Sequence, residues 1–119
     1  DELLGSISYF DSAESFYHGF LLGLLKGIRH FMFQSNRESG LGRSDIVMKH
    51  RQFTHQAVIF ELKFTKNRAE LGSLCQKALA QINDNKYDAE LLEEGYSPEK
   101  ILKYGIAFCG KVCRVECGD

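Results

Sequence analysis

SNRESGLGRSDIVMKHRQFTHQAVIFELKFTK, residues 35–66, is the stretch whose reading decides the fold. Two apolar runs lie within it, Ile46-Val47-Met48 and Ala57-Val58-Ile59-Phe60 continuing to Leu62. Both are short and rich in β-branched or aromatic residues, which reads as strand. The five residues Arg51 to His55 between them are polar apart from Phe53 and close a hairpin. With the turn centred on Phe53, Met48 falls near Val58 and Asp45 near Glu61. Side chains alternate faces along a strand, so Glu61 and Lys63 point the same way while Leu62 points into the opposite layer.

Two carboxylates and an ammonium on one face of a central strand pair are costly to bury unless they are paired or bind a metal. One reading is an ion pair of Asp45 or Glu61 with Lys63 that serves structure alone. The other is a hard-cation site, because Mg²⁺ takes one or two carboxylates together with waters and phosphate oxygens. A lysine beside such a site stabilises charge developing on a phosphate. The bare spacing Asp-x15-Glu-x-Lys has many chance matches, so its context has to decide.

That context is the wording around it. Asp45 followed by a strand ending in Glu61-Leu62-Lys63 resembles the PD-(D/E)xK nuclease superfamily, whose signature is an acid followed by Glu/Asp-x-Lys on the next strand. SNRESGLGRSDIV, AVIFELK and KYGIAFCGK resemble more narrowly the domain of this superfamily found C-terminal to AAA-ATPase-like domains in bacteria and archaea. The resemblance runs from about Phe10 to Val115. The proline of the nominal signature is absent, Ser44 preceding Asp45. The resemblance implies a metal held by Asp45 and Glu61, with Glu14 of the first helix approaching it, and an AAA-ATPase-like domain in the parent chain. It also implies a glutamine on the helix after the signature strand, which Gln81 matches. Tyr87 stands further from Gln81 than in the Gln-Tyr pattern of the RecB-like branch, so it falls outside the expected catalytic set.

Upstream of the hairpin, Asp11 with Glu14 makes a start resembling a capping box. Phe16, Phe20, Leu21, Leu24 and Ile28 then recur at helical spacing. Glu14 therefore has two readings, cap or metal ligand. Gly19, Gly23 and Gly27 stand four apart and predict a smooth ridge against which something packs closely. His30 to Gln34 reads as the first strand. The link from Ser35 to Arg43 is turn-rich, carries two glycines and lacks the Gly-Lys-Ser/Thr ending of a Walker loop. Arg37 and Arg43 flank it as candidate phosphate contacts, and a pairing of either with Glu38 is the alternative.

Downstream, Leu71, Leu74, Cys75, Ala78, Leu79 and Ile82 fall on one stripe and predict an amphipathic helix from about Arg68 to Asp84, with Gln81 beside the stripe. Asp88 to Glu94 reads as a short acidic surface helix ended by Gly95. Pro98 sits at a first helical position. Tyr104 to Cys109 reads as a buried strand joined through Gly110-Lys111 to Val112–Val115.

A chain of 119 residues with 44% hydrophobic and 26% charged content is one domain, residues 1–119, with 1–10 as the tail of a preceding region. It opens on Asp1 rather than Met, which reads as a fragment. No stretch reaches the roughly 18 to 20 apolar residues of a membrane span, and no signal peptide is visible, so a cytoplasmic location is expected. The net charge of −1 hides a contrast. Residues 26–68 carry nine Lys or Arg against three acids, while the remainder carries six against thirteen. A basic middle is the footprint of a phosphate-binding face, with an ordinary solvated surface as the alternative. Cys109, Cys113 and Cys117 lack the Cys-x2-Cys pairs of zinc sites, and Cys75 lies on the helical stripe, so free thiols are expected. His50 and His55 flank the hairpin turn, in reach of nucleic acid.

The expected architecture is an α/β, restriction-endonuclease-like core, a mixed central β-sheet flanked by helices in the order α-β-β-β-α-β-β. The expected activity is Mg²⁺-dependent (or Mn²⁺-dependent) hydrolysis of nucleic-acid phosphodiesters, DNA before RNA. Asp45, Glu61, Lys63 and Gln81 form the catalytic set, and Asp45, Glu61, Glu14 and the Leu62 carbonyl are the candidate metal ligands. The alternative is an inactive nucleic-acid-binding or protein-interaction module attached to an AAA-type ATPase. A homodimer is left open.

Overall fold

The computed structural model describes residues 19, 21, 23, 25–28, 30–35, 45–50, 52 and 56–118. Five strands form one sheet in the order β1-β2-β3-β4-β5: β1 Phe31–Ser35, β2 Ile46–His50, β3 Ala57–Phe64, β4 Ile101–Cys109 and β5 Val112–Cys117. The pairs β1–β2, β2–β3 and β4–β5 are antiparallel, whereas β3–β4 is parallel. A parallel pair needs a long crossover. Here it is supplied by helix α1 (Leu71–Asp84) and the shorter α2 (Ala89–Glu94). The sheet is therefore mixed, as the sequence predicts.

The hairpin register follows the sequence expectation. Met48 pairs with Val58 and Ile46 with Phe60, which sets Asp45 beside Glu61. The His50 N–H donates to the Gln56 carbonyl (3.0 Å) at the mouth of the turn. The alternation of β3 divides the core in two. Ala57 and Ile59 face Leu79 and Ile82 of α1, Leu91 of α2 and Tyr96. Val58, Phe60 and Leu62 face the other way, toward Ile106, Phe108 and the partly buried Leu21 and Leu25. Ile59 and Ile82 have no exposed surface. Burying a side chain of that kind contributes about 1.5–3 kcal/mol, and this lipophilic seam fixes which face of α1 meets the sheet.

The first helix is seen at Gly19, Leu21, Gly23 and Leu25, all helical. Its glycine ridge does not behave as expected: among the described residues nothing lies within 4 Å of a side chain added at Gly19 or Gly23. The segment packs through Leu21 and Leu25 instead. The close approach occurs elsewhere, at Gly105 of β4. A Cβ there would stand 2.6 Å from the Cys75 carbonyl oxygen and 3.0 Å from the Ala78 Cβ.

Turn chemistry explains how α1 begins and ends. Beyond β3, the Thr65 hydroxyl donates to Glu70 Oε1 (2.6 Å) and accepts the Asn67 N–H (3.0 Å). Asn67 Oδ1 in turn accepts the Ala69 N–H (3.0 Å), capping a 3-10 turn, Arg68–Glu70, that leads into α1. At the other end Lys86 has φ 53°, the Tyr87 N–H reaches the Ile82 carbonyl (3.0 Å) and the Lys86 N–H the Asn83 carbonyl (3.2 Å). This is a Schellman ending with lysine where glycine is usual. Gly95, at φ 112°, closes α2 through the same pair of bonds, from Tyr96 to Leu91 and from Gly95 to Leu92. The acidic segment is more than a surface helix, since Leu91 is only 2% exposed. No helix among the described residues is long and apolar enough to cross a membrane.

Candidate active site

Asp45 and Glu61 are laced together through the backbone. The Asp45 N–H donates to Glu61 Oε1 (3.3 Å), and the Leu62 N–H donates to Asp45 Oδ2 (2.9 Å). Side-chain carboxylates thus take the place of carbonyls just beyond the last main-chain rung of the hairpin. Glu61 is 5% exposed and Asp45 half-buried, on the face that α1 covers.

Lys63 follows on the same face. Its ammonium stands 3.9 Å from Glu61 Oε2, at the outer limit of an ion pair, and its close contact is a different one. It donates to Gln81 Oε1 of α1 at 2.5 Å. The Gln81 amide nitrogen donates to the Tyr87 hydroxyl oxygen (2.9 Å), which also accepts from Asn85 Nδ2 (3.2 Å). With both hydroxyl lone pairs engaged, the Tyr87 proton is left to donate outward. Lysine, glutamine, tyrosine and asparagine therefore form one chain of hydrogen bonds that orients the ammonium by neutral partners. The contact with Glu61 is the looser of the two, 3.9 Å against 2.5 Å to Gln81.

Asp45, Glu61, Lys63 and Gln81 are thus brought together as predicted. Tyr87, doubted for its spacing, joins them because the Schellman turn folds it back over the end of α1. Asn85 was not anticipated. Its position at the helix end, two residues before a tyrosine, is the signal that would have found it. The Leu62 backbone contributes its N–H to the Asp45 carboxylate. Glu14, Arg37, Arg43 and His55 lie outside the described residues. His50 makes structural contacts: its ring packs edge-on against Phe31 (centroids 5.1 Å), its Nδ1 accepts the Gln52 N–H (3.1 Å), and its carbonyl accepts the Tyr96 hydroxyl (3.0 Å). The basic middle is partly neutralised, since Lys49 pairs with Glu94 of α2 at 2.9 Å. Lys66 and Arg68, both exposed, follow β3 directly.

The donor set suits a hard divalent cation. Two adjacent carboxylates are the number that Mg²⁺ usually takes from a protein, the rest of its octahedron being water or phosphate oxygen. Among the described residues no cluster of three or more His, Cys, Asp or Glu is placed to hold a metal.

Residues 12–117 match the family model of the PD-(D/E)XK nuclease superfamily. A mixed sheet with an acid at the head of one strand and Glu-x-Lys at the tail of the next is the arrangement that defines the class. The chain belongs to that superfamily. Among curated proteins, none matches it.

Proposed function

We propose that this chain is a divalent-metal-dependent nuclease, with Mg²⁺ or Mn²⁺ held by Asp45 and Glu61. Glu14 and the Leu62 carbonyl are the further candidate ligands. A divalent ion bound there would supply Lewis acidity toward the phosphate and the attacking water. The residues of the chain do the rest. Lys63 opposes the negative charge that builds on the phosphate oxygens, and Gln81 fixes where its ammonium points. Tyr87 offers its proton to a phosphate oxygen next to that point. Arg37 and Arg43, with Lys66 and Arg68, hold the backbone of the nucleic acid, DNA in preference to RNA.

The observation that carries this reading is the Lys63–Gln81 bond at 2.5 Å, beside two carboxylates only 3.9 Å or less from their partners. An ammonium held off its buried carboxylate by a neutral amide is arranged for a third charged group. An AAA-ATPase-like domain in the parent chain and a cytoplasmic setting belong to the same proposal.

The test is calorimetric titration of Mg²⁺ and Mn²⁺, alongside cleavage of single- and double-stranded DNA and RNA. Asp45→Asn and Glu61→Gln keep an acceptor for the Leu62 and Asp45 amides, so the fold is expected to survive while metal affinity falls at least tenfold and cleavage is lost. Salt-dependent nucleic-acid binding without metal uptake or cleavage would instead define an inactive binding module.

A further inference from the structure

β5 reads Val112-Cys113-Arg114-Val115-Glu116-Cys117 and forms one edge of the sheet, with β4 on one side and no strand on the other among the described residues. An edge strand presents unpaired main-chain groups and is usually blunted by lysine, proline or a bulge. β5 has none of these three within it, and the two charges it carries, Arg114 and Glu116, are paired with each other. Its face opposite α1 carries Cys113, Val115 and Cys117, all exposed, with Val115 at 51%. The other face carries Arg114 and Glu116, joined Nε to Oε2 at 2.7 Å, the glutamate also meeting the Gln76 amide.

The order of these residues is symmetric about Val115 in a chemical sense. When two antiparallel copies are paired with Val115 opposite Val115, Arg114 of each lies opposite Glu116 of the other. The same register sets Cys113 opposite Cys117 on the other face, twice. A two-fold axis through such a strand needs a self-complementary surface, because each residue meets its mate's counterpart. A shift of two residues would destroy both the charge match and the thiol match. We propose that β5 is a homodimer interface, pairing antiparallel with β5 of a second copy about a two-fold axis at Val115. Two arginines and two glutamates then form a four-charge cluster on one face, opposite-sign cross-strand pairs being the favourable ones. The interface joins the two sheets into one of ten strands. It stands independently of the nuclease reading.

The thiols provide the ruler. Directly opposed residues of an antiparallel pair have Cα atoms about 4.5–5.5 Å apart, within the span a disulfide bridges. Diamide takes the two hydrogens of a thiol pair onto its N=N bond, becoming a hydrazine and leaving S–S. Cys75 is fully buried, its thiol pushed up by burial and by the charge of Glu116, so it does not compete; the half-buried Cys109 is replaced by serine in every chain used for cross-linking.

The experiment has two arms. In sedimentation, the chain should weigh about 27 kDa, twice its 13.5 kDa. R114E, which opposes four acids, should be monomeric, and the R114E/E116R exchange should restore the dimer. In the second arm, Cys113→Ser alone and Cys117→Ser alone should each resist diamide cross-linking, whereas a mixture of the two should cross-link through one Cys113–Cys117 bridge. A monomer at all concentrations overturns the proposal. So does cross-linking of either serine variant by itself, which would mean another register, or a dimer indifferent to R114E.

Discussion

Gly105→Ala tests how closely the site depends on the depth at which α1 sits. Gly105 lies beside Glu61 in the parallel β3–β4 register, on the face that α1 covers. The new methyl carbon would meet the Cys75 carbonyl oxygen at 2.6 Å, the Ala78 Cβ at 3.0 Å and Leu79 Cγ at 3.3 Å. The first of these is helix backbone and has no rotamer to escape into. Restoring ordinary contact therefore lifts α1 by about 0.8 Å, given that packed interiors leave no slack. Overpacking of this kind costs about 1–3 kcal/mol, against roughly 0.4–1 kcal/mol gained because alanine loses less backbone freedom on folding. The net expectation is a loss of about 1–2 kcal/mol, or a Tm lowered by roughly 5–10 °C in a domain of this size. Gln81 rides on the same helix two residues beyond Leu79. Its bond to Lys63 would stretch from 2.5 Å to about 3.3 Å, beyond the range of a good N–H···O bond. Displacement near 1 Å at a catalytic group costs on the order of 10²-fold in turnover, so cleavage should fall ten- to a hundredfold below that of the folded fraction. Gly110→Ala is the control: among the described residues nothing lies within 4 Å of a side chain added there, so α1 stays in place and the expected cost is that of φ 59°. Urea melts and single-turnover cleavage of both variants decide the matter. A Gly105→Ala protein with unchanged midpoint and turnover would refute the account of α1 as the depth gauge of the site.

Three further outcomes are expected. Lys63→Ala should cut turnover by roughly two to three orders of magnitude while metal affinity holds or rises, as follows from removing one preorganised charge. Because Lys63 is 30% exposed and 3.9 Å from Glu61, its loss should cost only about 1 kcal/mol in a thermal melt, not the several expected of a tight buried pair. Tyr87→Phe leaves Gln81 and Asn85 without their shared acceptor; we expect about tenfold slower cleavage and a stability loss of about 1 kcal/mol by chemical denaturation. Lys86→Gly relieves a left-handed lysine and should stabilise the protein by up to about 1 kcal/mol in urea titration, with cleavage unchanged.

The hairpin and its acids were legible because strand alternation and a turn centred on Phe53 leave only one register that buries both apolar runs. The same periodicity located α1 and, beside its stripe, Gln81. What sequence did not disclose follows from how backbone bends are encoded. The Gln81–Tyr87 spacing of six looks too wide on a continuous helix, and no glycine announces that the helix stops between them. Lys86 takes the left-handed conformation in its place, which composition alone disfavours. Among the described residues, nothing packs closely on Gly19 or Gly23, the glycines whose spacing advertises it. At Gly105 the approach is close, and a lone glycine in an apolar strand gives no hint of which neighbour comes near. Charge summed along the chain overstated the basic middle for a similar reason: Glu94 is distant in sequence from Lys49 and adjacent in space. β4 also begins at Ile101, earlier than Tyr104, because Leu102 and Lys103 continue the parallel register with β3.

The exchange of main-chain and side-chain groups between Asp45 and Glu61 has a consequence for observation. Two amide protons, those of Asp45 and Leu62, hang on the very carboxylates that would receive a cation. Their resonances are spies placed inside the site. A ligand that draws charge from these oxygens weakens its hold on both protons at once, shifting their frequencies upfield and quickening their exchange with solvent. Neighbouring rungs of the hairpin, such as the His50 amide on the Gln56 carbonyl, would stay silent. Occupancy of the centre becomes readable from two backbone signals, in a chain that carries no tryptophan to serve as an optical probe.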